Sequence, residues 1–370
     1  MKKLQRFLQS LGTPMQDAEE ETFELFSQDL PSQNLGFIDS RATTVELSVA
    51  GRDLVITQSP GVLSSNRAGG TTGAVIWKIT PLFATWLASP HNPLWTHDLL
   101  TPSSRILELG CGISGLVALL LGPRVARYVL TDQPYVAKLV EQNVAANWRA
   151  AAAAASSQQS TSQQSTSPSF PPSASGSGTT SGSKTARRSR PTSKSHRASP
   201  PHTSRRGSPA GTAGNISRAR EAGVLFRPLD WETDAVTAAL AGAAAAETGE
   251  REGEGARRGG FEVVVACDCI YNEALVEPFV ATCVDLCKLR RVGAEEAAAE
   301  GGPEGEEACV CVVGQQLRDP LVFEAWAVRF ARSFHTWRVP DEMLVEGLRA
   351  NTGFVVHVGV LRDDISLEAI

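Results

Sequence analysis

Two short segments constrain this chain most. Residues 106–115 read ILELGCGISG and residues 128–133 read YVLTDQ. The first is expected to form a buried strand, a sharp glycine turn and the start of a helix. The second is expected to be another strand, ending in an acid. At Gly110 and Gly112 the backbone can approach a ligand that a Cβ would obstruct, and the Asp132 carboxylate can take two ribose hydroxyls. A unit of this kind suits a nucleoside ligand.

The rest of the chain supplies a sheet around that unit. Apolar runs at 105–109, 127–131, 223–227, 261–267, 308–314 and 354–361 alternate with helical patterns at 116–121, 134–148, 234–245, 273–289 and 320–334. Such alternation predicts an α/β fold whose mostly parallel sheet is covered on both faces. Upstream, 43–50 and 53–58 flank Gly51 and Arg52 as a small hairpin, and 74–87 reads as a helix with Pro81 at a bend or boundary.

Composition marks where this pattern breaks. From Ala150 through Arg220 there is no Asp or Glu, and Ser, Gln, Pro and Gly replace large apolar residues. Such a segment cannot offset the entropy of ordering it. Residues 151–217 are therefore expected to be a disordered insertion. It interrupts a single domain made of 73–150 and 218–366, preceded by an N-terminal extension over 1–72. Eight Lys or Arg residues lie between Lys184 and Arg206, and RRSRPTSKSHR (187–197) is basic enough for a nuclear-localisation or RNA-contact role, or to be a solvated insert without a partner. Two acidic Gly/Ala/Glu-rich stretches, 246–260 and 293–308, are expected to be solvent loops.

The formal net charge of −5 creates no general demand for nucleic acid. No signal peptide is expected, no apolar run is long enough for a membrane span, and seven cysteines fit a reducing cytoplasmic or nuclear compartment. Cys267 and Cys269, Cys309 and Cys311, and Cys283 and Cys287 form close-spaced pairs, but the spacing is not that of a zinc knuckle and no histidine is near. They are expected to be buried structural thiols, with no metal. A monomer is expected.

Gly110, Gly112 and Gly115 also fit the G-x-G-x-x-G of dinucleotide sites, with Asp132 about 20 residues on. Spacing alone leaves an NAD enzyme open. Glu108 weighs against it: a carboxylate there would face a pyrophosphate unfavourably, yet suits a ligand bearing an amino group or a sulfonium. An acid also follows the strand at 261–267, in FEVVVACDCIY, at the end of the sheet where ligands gather.

Gly73-x-x-x-Trp77, Glu108-Leu-Gly-Cys-Gly-Ile-Ser-Gly115, Thr131-Asp132, Leu229-Asp230-Trp231 and Asp268-Cys-Ile-Tyr271, in this order, resemble the seven-strand S-adenosylmethionine-dependent methyltransferases of the lysine-directed, METTL21-like branch. Within it, 21–39 and 266–280 are similar to the fungal enzymes that methylate ribosomal proteins. The resemblance covers about 20–150 and 220–362. It implies a Rossmann-like seven-strand sheet, S-adenosylmethionine as cofactor, and lysine N-methylation of a large-subunit ribosomal protein of the L1 type. A translation elongation factor, a small molecule or a non-catalytic scaffold role are alternatives on the same fold.

The resemblance also implies roles for single residues. Trp77 borders the cofactor, as against a packing tryptophan on the expected helix. Glu108, Gly110, Cys111 and Gly112 form the cofactor loop, with Cys111 a small permitted residue. Asp132 binds the ribose, as against capping the helix at 134–148. Trp231 packs by the adenine, and Cys267 contacts the cofactor, as against simple strand burial. Asp268 and Tyr271 form the catalytic, substrate-side pair, as against a cap at Asp268 for the helix beginning near Glu273. How that pair divides its work stays open, as does the acceptor of the lysine proton.

Overall fold

The computed structural model describes residues 2–31, 36–67, 70–164, 217–221, 223–242, 260–299, 308–365 and 367. Among the described residues, nine strands form two sheets. Strands β1 (Thr44–Val49) and β2 (Arg52–Thr57) make the expected antiparallel hairpin. The large sheet contains β3 (Arg105–Leu109), β4 (Arg127–Asp132), β5 (Val224–Pro228), β6 (Val263–Cys267), β7 (Val310–Gln316), β8 (Phe334–Arg338) and β9 (Phe354–Leu361). Its order is β5-β4-β3-β6-β7-β9-β8, with β9 antiparallel to both neighbours and the other pairings parallel. The α/β class and the seven-strand, mostly parallel sheet are as the sequence implies.

The seven longer helices among the described residues pack around the sheets. They are α1 (Lys2–Ser10), α2 (Ala18–Phe26), α3 (Ile79–Ala88), α4 (Leu116–Leu121), α5 (Ala137–Gln164), α6 (Val276–Ala299) and α7 (Pro320–Ser333). Buried apolar residues form one core on each face of the sheet. One joins α1, the hairpin, α3, α4 and α5 through residues such as Phe7, Ile56, Phe83, Leu119 and Val140. The other joins α2, α6 and α7 through Leu25, Phe279, Trp326 and Phe330. Near-continuous apolar strands such as VVVAC in β6 are what burial on both faces demands.

Several boundaries depart from expectation. Helix α3 starts at Ile79 instead of 74, because Pro81 is tolerated only in a first turn; deeper in a helix it would remove a hydrogen bond and clash with the preceding turn. Strand β8 was not expected: the helix expected over 320–334 ends at Ser333, and Phe334 opens the strand. The alanine run after Ala150 does not open the insertion. It extends α5 to Gln164, since alanine is the strongest helix former. Helix α6 likewise runs through Ala299, into the stretch expected to be a loop. The remainder of the 151–217 insertion, most of 246–260 and 300–307 lie outside the described residues.

The hairpin is fastened to α5 by two asparagines one helical turn apart. Asn147 accepts from the Val55 amide and donates to the Val55 carbonyl, both at 3.0 Å. Asn143 makes the same pair of bonds to Thr57, both at 2.9 Å.

Candidate active site

Strand order reverses at β3: β4 and β5 lie on one side, β6 and β7 on the other. Beyond the carboxyl ends of strands at such a switch point an α/β sheet leaves a crevice. Here it is a cavity of about 440 Å³, lined by the loop before α3, the glycine loop after β3 and the segments that follow β4, β5 and β6.

The glycine loop is built as its sequence requires. Gly110 and Gly112 have φ of 64° and 57°, a region that L side chains rarely adopt. A Cβ at Gly110 would also lie 2.6 Å from the Cys269 sulfur and 3.3 Å from the Trp231 ring. Asp132, at the end of β4, closes the loop: its carboxylate accepts the Gly112 amide at 2.8 Å and the Gln133 amide at 2.7 Å. Burial pushes the Asp132 carboxyl up to about 6 against the pull of these two amides, and Asp230 pushes it further. Cys111 donates its amide to Thr131 at 3.0 Å, and burial raises its thiol well above the ordinary range.

Glu108 lies beneath the loop, 2% exposed. The Tyr128 hydroxyl donates to it at 2.7 Å. Burial nevertheless pushes its carboxyl up to about 7, with Tyr128 opposing and Asp132 adding to the rise. A buried carboxyl poised this way gains most from a cationic group arriving in the cavity.

Trp77 lines the cavity but not from a helix, correcting the expectation. It pairs in an isolated β-bridge with Phe37, two residues before α3. Its indole N–H donates to the Thr72 carbonyl at 3.1 Å. The ring packs on Phe37 at 4.5 Å and under the Arg318 guanidinium at 4.9 Å. Trp231 forms the wall after β5, edge-on to Phe279 at 5.2 Å, and its indole N–H is buried without a partner. Cys267 ends β6 at the cavity, its thiol pushed up by burial.

Asp268 is held by groups at the end of β7 and just after it. Its φ is 60°, and its amide donates to the Gly314 carbonyl at 2.7 Å. Its carboxylate is gripped by both terminal nitrogens of Arg318, at 2.7 and 2.6 Å, and accepts the Gln316 amide at 3.2 Å. The side chain is only 2% exposed. It caps no helix: Asn272 does so, accepting from Ala274 at 3.1 Å. Nor is it a free anion, since its charge is already matched. Tyr271 stands at the mouth, 38% exposed, and shares a hydrogen bond with the Thr72 side chain.

All ten residues singled out in the sequence therefore line one cavity. Sequence reasoning missed Thr72, Tyr135 and Arg318. Tyr135 lies three residues past Asp132 and accepts the Gly73 amide on its hydroxyl, beneath the Arg67 guanidinium at 4.6 Å. Its closeness to Asp132 was a usable signal. Arg318 is fifty residues from Asp268 and had none.

The paired cysteines lie away from this chemistry. Cys283 and Cys287 on α6 meet Cys311 and Cys309, on and just before β7, as buried thiols. Among the described residues no group of three or more His, Cys, Asp or Glu could hold a metal ion.

This geometry gathers a glycine loop, buried carboxyls and aromatic walls in one pocket at the sheet's switch point, and comparison with known proteins adds to it. Residues 57–168, beginning at the end of β2, match the family model described as lysine methyltransferase. A diaminohydroxyphosphoribosylamino-pyrimidine deaminase of Schizosaccharomyces pombe is 36% identical over 35% of this chain and 31% of its own length. The ribosomal lysine N-methyltransferase 5 of Zygosaccharomyces rouxii is 39% identical over 24% of this chain and 31% of its own. That of Saccharomyces cerevisiae is 33% identical over 29% and 38%. The chain thus matches roughly a third of the length of each of these relatives.

Proposed function

We propose that this chain is an S-adenosylmethionine-dependent protein-lysine N-methyltransferase acting on a large-subunit ribosomal protein of the L1 type. The observation that carries the reading is the single cavity at the β3 switch point, into which the glycine loop, Asp132, Trp231 and the Asp268–Tyr271 segment all open. The lysine methyltransferase match over 57–168 and the two ribosomal lysine N-methyltransferase relatives support the same reaction class and substrate.

The residues fit a methyl donor of this kind. Glycines at 110 and 112 leave room for a nucleoside against the backbone, Asp132 offers a carboxylate to the ribose, and Trp231 offers an aromatic face and an unpartnered N–H. Glu108, with its raised carboxyl, suits a positively charged donor. When bound, S-adenosylmethionine supplies an electrophilic methyl group on a sulfonium. Trp77 and Tyr271 wall the mouth where a lysine stem would enter, and Tyr271 can accept a hydrogen bond from the amine or pass its proton to water. Holding nitrogen in line with the methyl carbon contributes several kcal/mol by replacing a bimolecular search.

The basic stretch 187–197 would give the enzyme a contact with rRNA as it works on its ribosomal target, in a cytoplasmic or nuclear setting and as a monomer. Labelled methyl transfer from S-adenosylmethionine to isolated large-subunit proteins, with mass spectrometry of the labelled band, tests the reading. Label on a lysine of an L1-type protein is the expected result. Label on an elongation factor, or on no protein, would replace it.

A further inference from the structure

We propose that Arg318 sets the charge of the pocket: it binds Asp268 so that this aspartate does not pair with the acceptor lysine, which is then free to lose its proton. The proposal rests on the lysine-methylation reading, and it assigns a positioning role to a residue outside the cavity lining.

Arg318 is fixed on three sides. Both terminal nitrogens bind the Asp268 carboxylate. The guanidinium lies over Trp77 at 4.9 Å. The chain crosses it at Gly36, whose φ is 84° and where a Cβ would lie 2.7 Å from Nη2. One cation therefore ties together the residue after β6, the aromatic wall before α3 and the N-terminal segment. Bidentate pairing of this kind is both strong and directional.

The surroundings of Asp268 make its charge matter. Its charge acts on the Cys267 and Cys269 thiols beside it and on Tyr271 in the following turn, and Glu108 and Asp132 from β3 and β4 act on those same thiols. These are acids. Without Arg318 an unmatched carboxylate would stand in the cavity wall, and an entering ammonium would be held in its charged form. Methyl transfer needs the nitrogen lone pair. The ammonium, ordinarily near pKa 10.4, first gives one proton to water. The amine then forms its bond to the methyl carbon as the carbon–sulfur bond breaks. That bonding pair stays on sulfur, and the positive charge passes to nitrogen. A carboxylate already matched by Arg318 leaves the first of these steps unopposed.

S-adenosylmethionine and S-adenosylhomocysteine differ by the sulfonium charge, so their affinity ratio reads the field of the pocket without turnover. Calorimetry on the full chain should show Arg318→Gln shifting that ratio toward S-adenosylmethionine by about fivefold or more. Asp268→Asn, which leaves Arg318 unopposed, should shift it the other way, and Arg318→Lys should stay within about twofold of wild type. In methyl transfer to large-subunit ribosomal proteins, Arg318→Gln should move the midpoint of the rising pH limb up by about one unit. Adding Asp268→Asn should restore it. Thermal melts accompany each variant, and Asp268→Asn gives an independent arm should Arg318→Gln not fold. Unchanged ratios in both folded single variants would overturn the proposal. Binding of both ligands with the expected shifts but no methyl transfer would sustain the charge role and overturn the substrate reading. Binding of neither ligand to wild type would overturn the cofactor reading and this proposal with it.

Discussion

The carbonyl of Gly73 accepts the amide of Ile113 at 2.9 Å. One hydrogen bond thus closes the glycine loop against a residue forty positions upstream. The contact is close: a Cβ on Gly73 would lie 3.5 Å from the Gly112 Cα and 2.9 Å from the Tyr135 hydroxyl. Gly73→Ala should therefore move Tyr135 and loosen S-adenosylhomocysteine binding by about tenfold, while costing less than about 1 kcal/mol of stability. Calorimetry beside thermal unfolding checks this. A stable variant of unchanged affinity would separate Gly73 from the ligand site.

Asp132→Ala removes the acceptor of two loop amides as well as the carboxylate offered to the ribose. The amides can turn to water in the open cavity, so stability should fall by only about 1 kcal/mol. Affinity for S-adenosylhomocysteine should fall by about tenfold or more. A large loss of melting temperature with intact affinity would make Asp132 a structural strut only.

Glu108 gives the fold a pH dependence of unusual sign. Its carboxyl is raised from 4.5 to about 7, so between these values the folded chain holds a proton that the unfolded chain releases. Stability from this group is present below about pH 4.5 and is lost as pH rises to about 7. Asp132, raised from 3.8 to about 6, acts in the same direction. Glu108→Gln keeps an acceptor for Tyr128 and removes the titration. Its stability relative to wild type should grow by up to about 3 kcal/mol between pH 4.5 and 7.5. Parallel stability curves for the two proteins would show that Glu108 does not titrate in this range.

Tyr271→Phe removes the hydroxyl that meets Thr72 and faces the mouth of the cavity. Single-turnover methyl transfer should slow by about ten- to a hundredfold, with cofactor affinity within about threefold of wild type. Thr72→Val should reproduce part of the loss, and Thr72→Ser should not. Full activity in Tyr271→Phe would take the hydroxyl out of the reaction.

What the sequence made legible was local. Gly110 and Gly112 needed positive φ, and Asp132 ended a strand, so loop and acid could be placed together from a few consecutive residues. Apolar runs such as VVVAC identified the strands, whereas FHTWR of β8 alternates too weakly and follows a helix too closely to stand out. Trp77 lines the cavity but lies before α3 and not on it, because the apolar pattern of 74–87 outweighed the proline that delays the helix. The state of Asp268 was not legible at all. It depends on Arg318, which sheet order alone brings across from β7. Long-range pairing of this kind leaves no mark in a local pattern.

The two asparagines of α5 have a consequence for how copies of this chain meet. A lone hairpin ordinarily exposes a row of amides and carbonyls along which another chain can align. At Val55 and Thr57 that row is filled by the carboxamides of Asn143 and Asn147, each giving one donor and taking one. The helix thereby ends strand growth where it would otherwise begin. Exchanging both asparagines for aspartate would keep the shape but strip away four donated hydrogen bonds. The carbonyls of Val55, Thr57, Ile113 and Asn143 would each lose a donor, and the seal along β2 would rest on the packing of α5 alone.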